Sequence, residues 1–175
     1  MTEPTPKPLT APTKFGLAAA PVALVMALLA ALQDDASEGR RYVPYKDSVG
    51  VWTVCAGITG PAVIRGKRYT PDECTALETA YVQKMLAHMG QCVRGEFQFH
   101  EVKAWGHFAY NIGTPAFCRS TAAKRLNAGE RKAACAEISK WVYAGGKDCR
   151  IRANNCYGIV SRRAWERATC EGSTQ

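Results

Sequence analysis

Three side chains with the makings of acid–base chemistry stand close together in SEGRRYVPYKDSVGVWTVCAGITG, residues 37–60: Glu38, Asp47 and Thr53. A carboxylic acid kept protonated can give its proton to a leaving oxygen, while an ionised carboxylate and a hydroxyl hold a water for attack. Hydrolysis of a glycosidic bond needs that division of labour, and a carboxylate gap wide enough for the water gives inversion. Glu38 is expected beside an apolar helix surface, where desolvation raises a carboxyl pKa, and Asp47 in a polar turn before Gly50, where it stays charged. By type and spacing alone, the same residues equally suit a solvated helix glutamate, a turn aspartate and an ordinary strand threonine.

The surrounding pattern says what must position them. Residues 33–42 read as a helix carrying Glu38, and residues 48–60 as short strands separated by glycine turns. TPDE at 70–73 is a capping box with proline at the first helical position, opening a helix with apolar positions 74, 77, 81 and 85. Further helices fit 100–112, closed by Gly113, then 121–127, 130–144 and 159–169, with residues 144–158 a loop. The sum is α+β: a small strand-bearing lobe early and a helical bundle after it.

Upstream lies a different kind of sequence. Residues 1–14 hold four prolines without apolar periodicity and read as a disordered arm. Residues 15–32, FGLAAAPVALVMALLAAL, carry no charge, follow Lys7 and Lys14, and precede Asp34 and Asp35. Three readings compete: a buried core helix, a cleaved signal peptide, and an uncleaved membrane anchor with its N-terminus in the cytoplasm. The anchor is favoured, because the run meets the lower length bound for a span and no good small-residue cleavage site ends it. Its alanines, Gly16 and Pro21 make it a weak anchor, able to leave the bilayer.

A net charge of +8 favours an anionic partner such as the bacterial wall or membrane headgroups. Apart from Arg162, Arg163 and Arg167 the cations are scattered, so nucleic acid is not an expected partner. Eight cysteines without a C-x-x-C, and three histidines in no metal-binding pattern, point to disulfides in an oxidising compartment rather than a metal or other cofactor. Sequence cannot choose the full pairing, but Cys149 and Cys156 are close enough to close a small loop. A monomer is expected.

The pattern E-G-x7-D-x2-G-x2-T-x3-G, with GVWTVCAGITG, GKRYTPDEC, YNIGTPAFCRSTAAKRLNAGE, KWVYAGGK and GIVSRRAWE, closely resembles the phage-type lysozymes of glycoside hydrolase family 24. That likeness spans about residues 34–170. It implies a mostly helical, two-lobed lysozyme-like domain at 34–175 with a small β-sheet. It implies Glu38 as the general acid, with Asp47 and Thr53 handling the attacking water. The substrate implied is the β-1,4 bond between N-acetylmuramic acid and N-acetylglucosamine in peptidoglycan, with chitin an alternative. Asn111 and Ser120 become candidate sugar contacts; by themselves they read as a helix-end asparagine and a helix cap. The family commonly has histidine where this chain has Ile58, so a local ion pair supported by that histidine is not expected. Residues 15–33 resemble the signal-arrest-release element of some endolysins. This implies export by the host secretion machinery, retention in the inner membrane, and later release into the periplasm. A non-catalytic wall-binding protein on the same scaffold is the alternative, and a pore-forming protein a poorer one.

Overall fold

The computed structural model describes residues 16–35, 40–47 and 50–173. The N-terminal arm at 1–14, Phe15 and Glu38 lie outside the described residues. The small lobe is built on an antiparallel sheet in the order β1 (Arg41–Lys46), β2 (Trp52–Cys55), β3 (Ile58–Thr59). Tyr45 faces Thr53, Lys46 faces Trp52, and Val54 faces Ile58. The register shifts between Arg41 and Tyr45, in the stretch containing Pro44, which has no N–H to give the ladder. The helix expected over 33–42 does not reach its far end: the N-terminal helix is described to Asp35, and Arg41 is already in a strand. The reason is local: Tyr42, Val43 and Tyr45 favour extended backbone, and Pro44 is incompatible with a helix interior.

Val54, Cys55, Ile58, Tyr69 and Cys74 form the core of this lobe. Ile58, where the resemblance leads one to expect histidine, is buried among them. The Tyr69 hydroxyl donates to the Ala62 carbonyl at 2.6 Å and accepts from the Ile64 N–H at 2.8 Å, tying the following loop down.

The long helix α2 (Pro71–Cys92) starts where the capping box places it, with Thr70 and Glu73 exchanging both bonds. Its inner face runs through Cys74, Glu78, Val82, Met85, Leu86 and Met89. Tyr81, expected inward, is exposed and meets Tyr110 edge-on at 5.3 Å instead. There follow α3 (Phe99–Ile112), α4 (Thr114–Arg119), α5 (Thr121–Asn127), α6 (Arg131–Ile138) and α7 (Gly158–Cys170). Gly113 closes α3 at φ +84°, a conformation that disfavours a side chain. α4 was not expected from the sequence, since proline and cysteine blur its short pattern. α6 stops at Ile138, short of residue 144, because Tyr143–Ala144 and Lys147–Asp148 pair as the hairpin β4–β5 around Gly145 and Gly146. That hairpin occupies part of the stretch read as loop.

The apolar N-terminal segment does not stand apart. A short 3-10 turn, Leu17–Ala19, and helix α1 (Val22–Asp35) pack into the larger lobe. Leu17, Leu24, Val25, Leu28, Leu29 and Leu32 join Trp105, Phe108 and Phe117 in one core. In this conformation the segment is the buried core helix that the sequence offered as one of three readings. Pro21 shortens the helix, and among the described residues none is long and apolar enough to cross a membrane. Contact is closest where glycine allows it: a Cβ on Gly106 would lie 2.4 Å from Leu28 Cδ2.

Candidate active site

Asp47 and Thr53 come together through the main chain of Val51. Asp47 directly follows β1, and its Oδ1 accepts the Val51 N–H at 2.8 Å. The Thr53 hydroxyl, on β2, donates to the Val51 carbonyl at 3.1 Å. The same carbonyl accepts the Asp47 N–H at 2.9 Å, and Gly50 closes the turn at φ +81°. Thr53 is buried, at 3% exposure, and Asp47 is half-buried. A tight turn between paired strands thus fixes a carboxylate and a hydroxyl in one frame. The sequence signalled the turn through Gly50 and the β-formers at 49–54 but not the shared bonds to Val51.

Asn111 is exposed at the end of α3, and its side-chain oxygen accepts from Arg163 on α7. Ser120 is buried, and its hydroxyl oxygen accepts the Ala123 N–H at 3.1 Å as the cap of α5. Arg163, read from sequence as part of a basic cluster, is instead buried and bonded to Glu166 at 2.6 Å. Glu166 also meets His107 Nδ1 at 2.7 Å, and Arg167 pairs with Glu171 at 2.9 Å. The cluster is therefore not one solvent-facing patch. The only available signal was the three-residue spacing of Arg163 and Glu166 on α7.

A second group that sequence did not single out is Glu78, buried on α2 and paired with Arg40. Burial pulls the Arg40 guanidinium down, but the hydrogen bond and charge of Glu78 outweigh it and hold the pKa above its ordinary value. Burial also raises the Tyr110 phenol, assisted by the negative charge of Glu78. On the lobe's surface, Arg65 and Lys46 stand over the Trp52 ring at 5.1 and 5.9 Å.

All eight cysteines are paired: Cys55–Cys74, Cys92–Cys118, Cys135–Cys170 and Cys149–Cys156. The first joins β2, just after Thr53, to α2. Cys55, Cys74 and Glu78 are near enough for a metal set, but the two sulfurs are consumed by their disulfide.

The strand-bearing lobe, the helical bundle and the acid-bearing turn define a lysozyme-like protein. Residues 35–166 match the phage lysozyme family, and the chain belongs to it. It is accordingly a lysozyme, a glycosidase of the muramidase class. It is 38% identical over 164 residues to the SAR-endolysin of Escherichia phage 933W, covering 89% of this chain and 93% of that one. It is likewise 38% identical over 172 residues to a probable prophage lysozyme of Escherichia coli (strain K12), covering 93% and 97%. Among solved structures, the active form of P1 phage endolysin Lyz superposes with a TM-score of 0.71 at 23% identity, over 88% of this chain and 93% of that one, a likeness of fold. An endolysin from Escherichia coli O157:H7 phage FAHEc1 gives 0.68 at 27% identity, over 85% and 92%.

Proposed function

We propose that this chain is a signal-arrest-release endolysin, cleaving the β-1,4 bond between N-acetylmuramic acid and N-acetylglucosamine in peptidoglycan for host lysis and phage release. The observation that carries the mechanism is the shared hold of Asp47 and Thr53 on Val51. In this mechanism Glu38 protonates the glycosidic oxygen as the bond to the anomeric carbon breaks. Asp47 takes a proton from a water that Thr53 helps to orient, and that water adds to the opposite face with inversion. Asn111 contacts sugar through its amide, while Ser120 fixes the start of α5. The enzyme needs no cofactor and acts as a monomer.

Residues 15–33 serve first as the anchor. Exported by the host secretion machinery, the chain is held in the inner membrane with its N-terminus in the cytoplasm. Residues 34–175 then lie on the periplasmic side, where the eight cysteines oxidise, and release frees the whole chain into the periplasm. The packing of Leu17, Leu24, Leu28 and Leu32 among core residues supports a released state in which the former anchor completes the fold. Membrane retention withholds those side chains and keeps the domain unfinished.

Turbidity loss of outer-membrane-stripped bacterial walls tests the reading, using the oxidised full chain and its Glu38→Gln variant. Clearing by the parent and none by the variant is expected. Mass analysis must find muropeptides with reducing N-acetylmuramic acid ends. No clearing by the folded parent would favour a wall-binding protein, and equal clearing by both would remove Glu38 from the acid role.

A further inference from the structure

We infer that Glu78 and Arg40 are a positioning pair that ties the chain following the general acid to the turn following the water-holding threonine. The inference rests on the proposed hydrolysis. Glu78 is 1% exposed and projects from the middle of the 22-residue helix α2. Its Oε1 accepts from Arg40 Nε at 3.1 Å and from the Ala56 N–H at 3.0 Å, and its Oε2 accepts from Arg40 Nη2. Arg40 Nη2 also reaches Thr75 Oγ1, one turn earlier on the same helix, at 3.2 Å.

The two donors lead to the two halves of the chemistry. Arg40 is two residues after Glu38 in the sequence, so the pair holds the chain that follows the acid. Ala56 is three residues beyond Thr53, in the turn joining β2 to β3. The turn is demanding: Cys55 holds φ +57° and Gly57 φ +92°, and the Ala56 carbonyl receives the Tyr110 hydroxyl from α3. One carboxylate therefore ties the chain after the acid, the turn after the water-holding threonine, and a rigid helix into a single body. Stability alone is a poor reason for this arrangement, because apolar side chains of similar volume often stabilise a buried site as well as an ion pair does. What the arginine fork adds is fixed geometry.

Glu78→Gln keeps the side chain's shape and an acceptor for Ala56 while removing the charge that holds Arg40. Arg40→Lys keeps the charge and removes the fork. Hydrolysis of soluble peptidoglycan oligosaccharides by the oxidised full-length protein separates kcat from KM. Both variants are expected to lose about ten- to a hundredfold in kcat with KM within about twofold, the signature of misplaced reacting groups. Val82→Ala, one turn along α2 and buried in the larger core, supplies the comparison: measured well below its melting temperature, it keeps the parent's kcat. Unchanged kcat in both variants, or losses no larger than in Val82→Ala, would overturn the inference. If Glu78→Gln does not fold, Arg40→Lys alone decides. A folded parent without activity would instead remove the lysozyme reading on which the pair depends.

Discussion

Gly90 offers a test in which the docked N-terminal segment reverses the sign of a stability change. It lies on α2, and a Cβ placed there would be 2.7 Å from Ala18 Cβ, 2.9 Å from the Ala18 backbone nitrogen and 3.2 Å from its Cα. Carbon contacts are comfortable at about 3.5–4.0 Å, so Gly90→Ala must push the turn at Leu17–Ala19 off the helix by roughly half an ångström or more. The obstacle is main chain, which cannot swing aside as a side chain would. Overpacking of this kind costs about 1–3 kcal/mol, and unseating the turn also forfeits part of the burial of Leu17, worth about 1.5–3 kcal/mol in full. Against this, alanine is a better helix former than glycine by up to about 1 kcal/mol. The balance is a net loss of about 1–2 kcal/mol, or a fall of about 2–8 °C in Tm for a chain of this size. Thermal unfolding of the oxidised full chain, followed by circular dichroism, measures it. Adding Ala18→Gly removes the nearest contact but leaves the backbone nitrogen, so it should recover only part of the loss. If Gly90→Ala raises Tm, helix propensity is acting alone and the segment is not seated on α2.

Four shorter tests bear on the remaining links. Asp47→Asn should retain the fold and lose about a hundredfold or more in lysis rate, since general base help is typically worth that much; near-parental rates would place the water elsewhere. Ala27→Leu with Ala30→Leu adds apolar surface along a cleft of about 640 Å³ beside α7, where the packed form has room. The pair should hold more protein in the membrane fraction, and release equal to the parent's would count against the anchor. Cys135→Ala with Cys170→Ala removes the bridge from α6 to α7 and should cost about 2–4 kcal/mol in denaturant unfolding. The hydrogen bond from Lys67 holds the Glu73 carboxyl below its ordinary pKa. A depressed carboxyl contributes stability above its unfolded value, about 4.3, and loses it as pH falls through the folded value. The Tm deficit of Glu73→Gln should therefore be present at neutral pH and close below about pH 4, whereas a deficit constant with pH would exclude the ion pair as its source.

Much of the scaffold was legible because its signals are local. The capping box at Thr70–Glu73, the turn glycine at 50 and the glycine after Ile112 each act within a few residues, and α2, the Asp47 turn and the end of α3 follow them. α5 likewise spans the expected residues, Thr121–Asn127. The helix boundary before Arg41 was misjudged where two local preferences meet, and the β4–β5 hairpin was hidden in a stretch rich in turn formers.

By itself, the sequence carried the start of α2, the end of α3, the span of α5 and the short loop from Cys149 to Cys156, and it offered Glu38, Asp47 and Thr53 as an acid–acid–hydroxyl set that equally suits ordinary structural roles. Tertiary structure alone decided which partners those residues meet. Glu78 and Arg40 are 38 positions apart, and His107 and Glu166 are 59 apart. No periodicity joins such pairs; they exist only because elements distant in the sequence pack together. The same holds for the apolar run, whose composition suits a bilayer and a protein core equally, since both remove apolar surface from water. Its place against α2 and α3 is decided by shape: Gly90 and Gly106 leave space that Ala18 and Leu28 fill.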